Sequence, residues 1–361
     1  MKHAILAVIA LIAVAWLGSL VGLDYLFGVV FPYLAFAIFI GGFIYRVINW
    51  AKSPVPFRIP TTSGQEKSLD WIEQNKFDCP ATKGQVVVRM LLEVFTFRSL
   101  FKNTKAGIHD GPKLVYESSK WLWLFGIAFH YCFLLIVLRH MRLFINPVPG
   151  FIGTLEFFDG IFQVGVPVLY QTDLIFVTAV TLLFLRRVII PQVRYISFAA
   201  DYFPLFLIFA IATTGILMRY VFRVDIVSIK QLTVGLATFS PAISGDIGSI
   251  FYIHVFLVCS LMAYFPFSKL MHLGGVFLSP TRNMANNNRM VRHVNPWNDP
   301  NIKPHAYADY EDEFRQFMAD ADIPLEKELP PEPEPEPEET EESAAEPTTE
   351  EAPAETPAEK E

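Results

Sequence analysis

Long apolar runs divide this chain of 361 residues and limit what it can fold into. The six runs cover residues 4–23, 28–48, 121–144, 173–190, 202–221 and 249–280. A helix rises ~1.5 Å per residue, so about 20 apolar residues cross the ~30 Å hydrocarbon core of a bilayer. Lipid cannot satisfy backbone polar groups, so such runs are expected to be helical. The sequence therefore predicts an all-α integral membrane protein with six transmembrane helices.

The first run follows Lys2 and could be a secretory signal peptide instead of a span. No small-residue A-x-A cleavage site follows it, and the second run begins almost at once. We therefore interpret residues 1–48 as two retained N-terminal transmembrane helices. In the second run, Gly41 and Gly42 allow another helix to approach closely.

The last run carries a histidine near each end, His254 and His272. On one continuous helix these residues would lie ~27 Å apart on the same face, with a bend expected at Pro266, which lacks an N–H. Ionisable groups inside a membrane span are costly and usually indicate function. For each histidine alone, the alternative is a core side chain bonded to a backbone carbonyl.

The third run carries a second pair, His130 and His140, which are ten residues or ~15 Å apart. Four of the eight histidines therefore lie in two membrane spans. Two helices with two histidines each can supply the axial ligands of two stacked low-spin haems. The unequal spacings require tilt and the bend at Pro266. The three cysteines form no CxxC or CxxCH motif, so no covalent haem, iron–sulfur cluster or zinc site is indicated.

The distribution of lysine and arginine predicts the orientation of the spans. These residues concentrate in the 49–120 loop, around 186–194 and after residue 268, which places those connections and both termini in the cytoplasm. The basic clusters flank apolar spans and do not indicate nucleic-acid binding. Antiparallel spans then bring His130 near His272 on the cytoplasmic side and His140 near His254 on the outer side. We call these the inner pair and the outer pair.

The 49–120 loop is predicted to be cytoplasmic and basic, with amphipathic helices at 65–75 and 85–102. One face of the second helix is apolar, which predicts a helix that lies on the membrane surface. That face comprises Val86, Met90, Val94 and Phe97.

The end of the chain has two parts. Residues 281–324 are predicted to form a cytoplasmic tail that docks a partner. Residues 325–361 are rich in proline and glutamate and carry most of the acid behind the net charge of −7. Such a composition cannot bury a core, so this segment is predicted to be disordered.

Two segments carry a family resemblance: LLFLRRVIIPQVRYISFAADY before the fifth run and FPFSKLMHLGGVFLSP at the end of the sixth. Together with the H-x9-H and H-x17-H spacings, they make residues 121–280 resemble the cytochrome b subunit of membrane nitrate reductase, the NarI-like family. The N-terminal spans, the basic loop and TRNMANNNRMVRHVNPWNDPN are similar to the cytochrome b subunits of Dsr membrane complexes associated with sulfite reduction. The resemblance implies a four-helix dihaem bundle with two added N-terminal helices.

The resemblance also implies cofactors and partners. These are two haem b groups, a menaquinone/menaquinol pool, a cytoplasmic iron–sulfur subunit similar to heterodisulfide reductase, and further membrane and multihaem cytochrome subunits. The chain would be the electron-transfer subunit of a menaquinol-oxidising or menaquinone-reducing oxidoreductase complex in the inner (cytoplasmic) membrane. Two alternatives are a haem-free membrane anchor or transporter subunit and a nitrate reductase-type gamma subunit.

One departure from the family concerns quinol binding. A lysine near the outer haem helps to bind quinol in the nitrate reductase subunit, whereas this chain has no lysine between Lys120 and Lys230. Glu156 and Asp159 lie on the appropriate connection and are the predicted acids, because desolvation raises a carboxyl pKa toward neutrality. Gln163 and Gln171 share that connection. The alternative is an interfacial loop with ordinary acids.

Two further cofactor contacts are predicted. Gly126, one turn before His130, would make room for a porphyrin edge or else pack against another helix. Arg139 flanks the outer pair, as Arg142 does, and would bind haem propionates or else extend toward the membrane surface.

Overall fold

The computed structural model describes residues 1–55, 64–102, 105–109, 111, 113–160, 168–245, 247–293, 301 and 305–328. The chain divides into two compact units, Met1–Pro296 and Trp297–Glu361. The predicted disordered tail lies outside the described residues from 329 onwards, as does Gln163. In the second unit, the described helix Tyr307–Asp320 carries Glu311, whose carboxylate accepts hydrogen bonds from the backbone of Glu326 and Lys327.

In the described part of the chain, five helices are long and apolar enough to cross a membrane. They are α1 (Lys2–Leu20), α2 (Phe31–Ala51, preceded by a π turn at Leu26–Val30), α5 (Lys120–Phe144), α9 (Ala199–Leu217, continued by a π turn at Met218–Phe222) and α11 (Ser249–Tyr264, continued by a 3₁₀ turn at Phe265–Phe267). The predicted helical membrane class is therefore confirmed.

The predicted span 173–190 is the helix α7, Gln171–Ile189. Its 19 residues include Asp173 in the first turn and Arg186 and Arg187 in the last turn, so it is less apolar than the five spans. The count of six transmembrane helices therefore remains a prediction.

The connections contain shorter elements. They are α3 (Lys83–Thr96), α4 (Arg98–Phe101), α6 (Gly150–Asp159), α8 (Pro191–Tyr195), α10 (Ile226–Ala237), α12 (His272–Leu278), β1 (Lys105–His109) and β2 (Lys113–Glu117), with Tyr307–Asp320 as α13. The two strands form an antiparallel hairpin in which Gly107 lies opposite Val115. No strand was predicted from the sequence.

The two amphipathic helices predicted in the 49–120 loop differ from the structure. The helix predicted at 65–75 is wrong, because residues 64–82 form turns closed by contacts such as Asn75 N to Gln65 O at 2.9 Å. The second helix ends at Thr96, where Phe97 adopts a left-handed conformation with φ of 50°. A side chain with a Cβ adopts that conformation only at a cost, so the helix stops there and α4 starts in a new direction.

The long helices of the first unit pack in sequence around a four-helix core. Helix α5 packs against α7 and α10, α7 against α9, and α9 against α11. Helix α1 then packs against α9 and α11, where Val8, Leu207 and Leu257 form a buried cluster. Helix α2 packs against α11. This arrangement agrees with a four-helix bundle flanked by two N-terminal helices.

Glycine allows α2 to approach the end of α11. A Cβ added at Gly42 would lie 2.8 Å from Pro266 Cβ, closer than packed carbon atoms allow. The prediction of close helix approach therefore holds for Gly42. A Cβ at Gly41 would have no neighbour within 4 Å, so its small size is not required there.

The last apolar run is not one helix, contrary to the ~27 Å estimate made from the sequence. After the turn at Phe265–Phe267, Ser268 is extended (φ −119°, ψ 177°) and its hydroxyl accepts a hydrogen bond from Leu270 N. A second 3₁₀ turn covers Lys269–Met271, and α12 starts at His272. The missing N–H of Pro266 explains why the interruption lies here. The predicted site of bending is correct, but the chain breaks instead of bending.

Candidate functional site

The structure brings the inner pair together from two different elements. His130 lies in the middle of α5, and His272 is the first residue of α12, just after the break in the last run. Their ring centroids are 6.0 Å apart and their planes are 82° apart. The break therefore places His272 beside His130.

The outer pair also consists of neighbouring residues from α5 and α11. The imidazoles of His140 and His254 lie close enough to interact electrostatically. Gly215 on α9 lies against His254, because a Cβ added there would be 3.4 Å from His254 Cε1. The small residue on α9 thus leaves room for this ring.

Three of the four imidazoles are held by a backbone carbonyl of their own turn. The bonds are His130 Nδ1 to Gly126 O at 2.7 Å, His140 Nδ1 to Ile136 O at 2.7 Å and His272 Nδ1 to Lys269 O at 2.9 Å. A carbonyl oxygen can only accept, so Nδ1 must carry the proton in each bond. In the neutral imidazole, Nε2 then has the free lone pair that a metal requires.

The fourth imidazole, His254, is held from a neighbouring helix. Its Nδ1 lies 2.9 Å from the hydroxyl oxygen of Thr214 on α9. The Thr214 hydroxyl oxygen lies 2.9 Å from the carbonyl of Ala210, to which it can donate. It can then accept from Nδ1, which leaves Nε2 of His254 as the remaining ring nitrogen.

This set of donors fits a group that needs two axial imidazoles. When two imidazoles share one metal atom and each Nε2 lies about 2 Å from it on opposite sides, their ring centroids are about 6 Å apart. The rings of the inner pair have this separation. Among the residues that the structure describes, no three His, Cys, Asp or Glu side chains converge on one point. Low-spin haem takes only two protein ligands, so two pairs match two haems better than a bare ion.

Aromatic side chains contact the inner pair, and mainly apolar side chains line a cavity within the helix bundle. Phe97 and Phe129 meet the His130 ring edge-on, with centroids at 5.0 and 4.9 Å. An apolar cavity of about 50 Å³ lies between α5, α7, α9 and α11, lined by Phe133, Phe176 and Ile208 among others. Phe133 lies between His130 and His140 along α5. The two pairs are therefore separated by apolar packing, which favours water exclusion.

Gly126 was predicted to make room for a porphyrin edge or else to pack against another helix. A Cβ at this position would lie 3.6 Å from Leu100 Cδ2 of α4, an ordinary contact distance. Its carbonyl, however, anchors His130. The contribution of Gly126 to the site is therefore its backbone oxygen, which any residue could supply.

Arg139 lies in a buried ion-pair network instead of extending toward the membrane surface. Its guanidinium donates to Asp173 at 2.7 Å, forms an ion pair with Asp159 at 3.1 Å, and stacks on the Tyr170 ring with its Cζ 3.8 Å from the centroid. The residue is 7% exposed. The protein's own carboxylates therefore occupy the guanidinium that was predicted to bind a propionate.

The two predicted quinol-site acids have different surroundings. Asp159 is buried, and its two oxygens accept hydrogen bonds from Thr172 N at 2.8 Å and the Thr172 hydroxyl at 2.6 Å. This carboxylate caps the start of α7 and also pairs with the buried guanidinium of Arg139, so it is already engaged by three donor groups. Glu156 forms an ion pair with Arg142 at 2.6 Å in a more exposed position. Of the two, only Glu156 is placed where a substrate could reach it.

Several contacts in the site were not predicted. The Thr214–Gly215 dipeptide holds His254, Phe97 contacts His130, and Asp173 links Arg139 to the hydroxyl of Tyr220 at 3.0 Å. The sequence contains a weak indication of the contact with His254, because Thr213-Thr214-Gly215 interrupts an otherwise apolar run. The contact of Phe97 had no signal, since it depends on a loop that folds back.

Comparisons with known proteins agree with this geometry. Residues 95–294, which include all four histidines, match the family model described as nitrate reductase gamma subunit. The chain is 47% identical over 284 residues to the Hdr-like menaquinol oxidoreductase cytochrome b-like subunit of Archaeoglobus fulgidus, covering 77% of this chain and 85% of that protein. The subunit of the same name from Archaeoglobus profundus is 47% identical over 277 residues, covering 75% and 82%.

Proposed function

This chain belongs to the nitrate reductase gamma subunit family, and we propose that it is the membrane cytochrome b subunit of a menaquinol oxidoreductase complex. The observation that carries the proposal is the pairing of four imidazoles between α5 and the last apolar run, which supplies His254 from α11 and His272 from α12. In each ring Nδ1 is engaged and Nε2 remains. A core histidine can also donate to a backbone carbonyl, but a packing role does not account for rings that neighbour each other in two pairs across helices.

In this proposal His130 and His272 hold one haem b, and His140 and His254 hold a second. When bound, each haem accepts and donates single electrons through its iron. The protein's own residues orient the imidazoles and exclude water from the site. The backbone carbonyls and Thr214 fix the ring orientations, and the aromatic side chains keep water away. Glu156 is the proposed proton acceptor for quinol on the outer side.

The proposed partners follow from the name of the two relatives and from the sequence resemblance. Electrons would pass between menaquinone and a cytoplasmic iron–sulfur subunit similar to heterodisulfide reductase, within a complex that contains further membrane and multihaem cytochrome subunits. The chain would cross the inner membrane six times, with α7 as the fourth span and both termini in the cytoplasm. We propose a link to sulfite or sulfate reduction, as in the DsrM-type subunits. The pairing is compatible with electron flow in either direction.

The haem content of the purified chain tests this proposal. We expect a pyridine haemochrome assay to give two haem b per chain, with a redox titration that resolves two one-electron steps. A ratio of one haem per chain would show that only one of the two assigned histidine pairs binds haem. A chain without Soret absorbance after expression with adequate haem supply would support the haem-free anchor instead.

Thr214 provides a test of how the outer pair is held. Replacing Thr214 with valine removes the hydroxyl next to His254 Nδ1 while keeping the shape of the side chain. Loss of an orienting partner of a metal-bound histidine typically lowers affinity about 10- to 100-fold, so we expect the affinity for one haem to fall about ten-fold or more. Haem retention during dialysis against apomyoglobin measures this.

The matched control is Thr213→Val. The Thr213 hydroxyl bonds the Phe209 carbonyl of its own helix at 2.8 Å. This variant should retain both haems as the parent does. Equal haem loss from the two variants would indicate a general loosening of α9 and would contradict the assigned role of Thr214.

A further inference from the structure

Helix α3 has an unusual distribution of polar and apolar side chains. Its buried residues include Arg89 and Glu93, which are 5% and 8% exposed. Beyond Lys83, its exposed residues are Gly84, Val87, Val88, Leu91, Phe95 and Thr96. Val87, Leu91 and Phe95 follow each other at intervals of four and are each more than half exposed, so they form one outward stripe. A helix that faces water has the opposite arrangement.

The inward polar side chains have specific partners. Arg89 donates to the backbone oxygen of Asp78 at 2.7 Å, and the Glu93 carboxylate accepts hydrogen bonds from the backbone and hydroxyl of Ser99. These contacts fix the rotation of α3 about its axis. The apolar stripe therefore faces away from the rest of the protein. Turning it inward would break the hydrogen bonds of Arg89 and Glu93.

The surface-helix prediction selected a different face of this helix, about 100° around the axis from the exposed stripe. Val86, Met90 and Val94 were expected to face the membrane, but Val86 is buried and the other two are partly buried. Both faces of α3 carry apolar residues, so periodicity could not distinguish them. The buried partners of Arg89 and Glu93 decided the rotation.

The end of α3 lies alongside a membrane span. Trp123 Nε1 donates to Thr96 O at 2.7 Å, and the Tyr131 hydroxyl donates to Phe95 O at 2.8 Å. Tyr131 is eleven residues after the start of α5 at Lys120, or about 16 Å along the axis, and helical side chains point back toward the N-terminus. The last residues of α3 therefore lie beside the first three turns of α5. Interfacial helices lie about 5–10 Å into the boundary between headgroups and acyl chains.

We propose that α3 is a membrane-inserted interfacial helix whose outward stripe, Val87, Val88, Leu91 and Phe95, contacts lipid acyl chains next to the start of α5. The stripe is continuous with the membrane-facing surface, because Phe95 adjoins Tyr131 on a span and Trp121 and Leu124 of the same span are also exposed. With 14 residues, or about 21 Å, α3 is too short to cross the bilayer. Lipid is the occupant that this position favours over a soluble protein.

Insertion of α3 has a consequence for the inner pair. The residue that follows the helix is Phe97, whose ring meets His130 edge-on at 5.0 Å. A helix held in the lipid beside α5 keeps that ring in place and closes the inner imidazole pair from one side. Almost all of α3 precedes residue 95, where the match to the family model begins. The inference does not depend on haem, so it can fail or hold independently of the proposed function.

Spin labels can locate the stripe. Single cysteines at Val87, Leu91 and Phe95 in the full chain would be labelled and reconstituted in phosphatidylcholine–phosphatidylglycerol bilayers. We expect molecular oxygen, which concentrates in lipid, to increase the spin relaxation rate of these labels more than a water-soluble nickel chelate does. Because all three side chains are exposed, the substitutions leave the packed face of α3 intact.

The control position is Lys83, which is exposed at the start of the same helix. A label at Lys83→Cys should show the opposite preference, and the parent chain should label weakly because Cys79, Cys132 and Cys259 are buried. Equal or stronger relaxation by nickel at positions 87 and 91 would show a water-facing helix and overturn the proposal. Immobile labels protected from both reagents would assign the stripe to a protein partner and would overturn it as well.

Discussion

Replacing His254 with alanine is expected to remove one of two haems from the purified chain and to leave the other with a nearly unchanged spectrum. His254 is paired with His140, whereas His130 is paired with His272, whose ring centroid lies 6.0 Å from that of His130. Low-spin haem needs both of its axial imidazoles, so one alanine should be enough to lose a haem. The haem-to-protein ratio should fall from two to one.

Double variants test the pairing itself. Within a pair, His140→Ala combined with His254→Ala should lose no more haem than either single change, because the same haem is lost once. Across pairs, His130→Ala combined with His254→Ala should lose both haems. Reduced-minus-oxidised spectra and a redox titration would show which haem remains in each variant.

His293 offers a control outside the spans, since its ring bonds Asn287 in the connection after α12. His293→Ala should retain two haems. Retention of both haems in all four single variants of the paired histidines would show that they are not ligands. If His130→Ala and His254→Ala removed the same haem, the pairing would be wrong even though haem was present.

Arg139→Met is expected to cause the largest loss of stability among single changes at the polar network. The substitution leaves the buried Asp159 and the partly buried Asp173 without their shared cation, while the methionine roughly preserves the volume. Removing one partner of a buried ion pair costs about 3–5 kcal/mol, because the remaining charge stays desolvated. Denaturant unfolding of the chain in mixed micelles, followed by tryptophan fluorescence, measures the loss.

Arg142→Met is the matched control three residues away. Arg142 also forms an ion pair, with Glu156, but its side chain is 45% exposed. Exposed pairs contribute about 0–1 kcal/mol, so this variant should unfold close to the parent. Adding Asp159→Asn and Asp173→Asn to Arg139→Met should recover much of the lost stability, because no buried charge then remains unpaired. Equal effects of the two arginine variants would contradict the assignment of Arg139 as the buried centre of the network.

The contrast between these two arginines illustrates what sequence could and could not predict. Both lie near the end of an apolar run and both were candidates for propionate binding or for extension to the surface. Their roles differ because α6 and the start of α7 bring Asp159 and Asp173 to one of them. The residues next to Arg139 and Arg142 in the sequence do not show which of the two arginines these carboxylates will contact.

The amino-acid sequence alone determined the membrane class, five of the spans and the four histidines as a set. These properties depend on local hydropathy and on the cost of placing an imidazole in lipid, which neighbouring residues decide. The pairing also followed from the sequence, because antiparallel spans bring matching depths together. The interruption near Pro266 could be located for the same reason, since a missing N–H is a local property.

Only the tertiary structure decided how the last run breaks, which face of α3 turns outward and which groups hold each imidazole. The break moves His272 out of α11 and beside His130, so a spacing along one helix could not give its position. Thr214, Asp159 and Phe97 contact residues that are 20 to 40 positions away in the chain. Such contacts arise from how helices pack, and helix packing depends on the whole set of surfaces and not on any one segment.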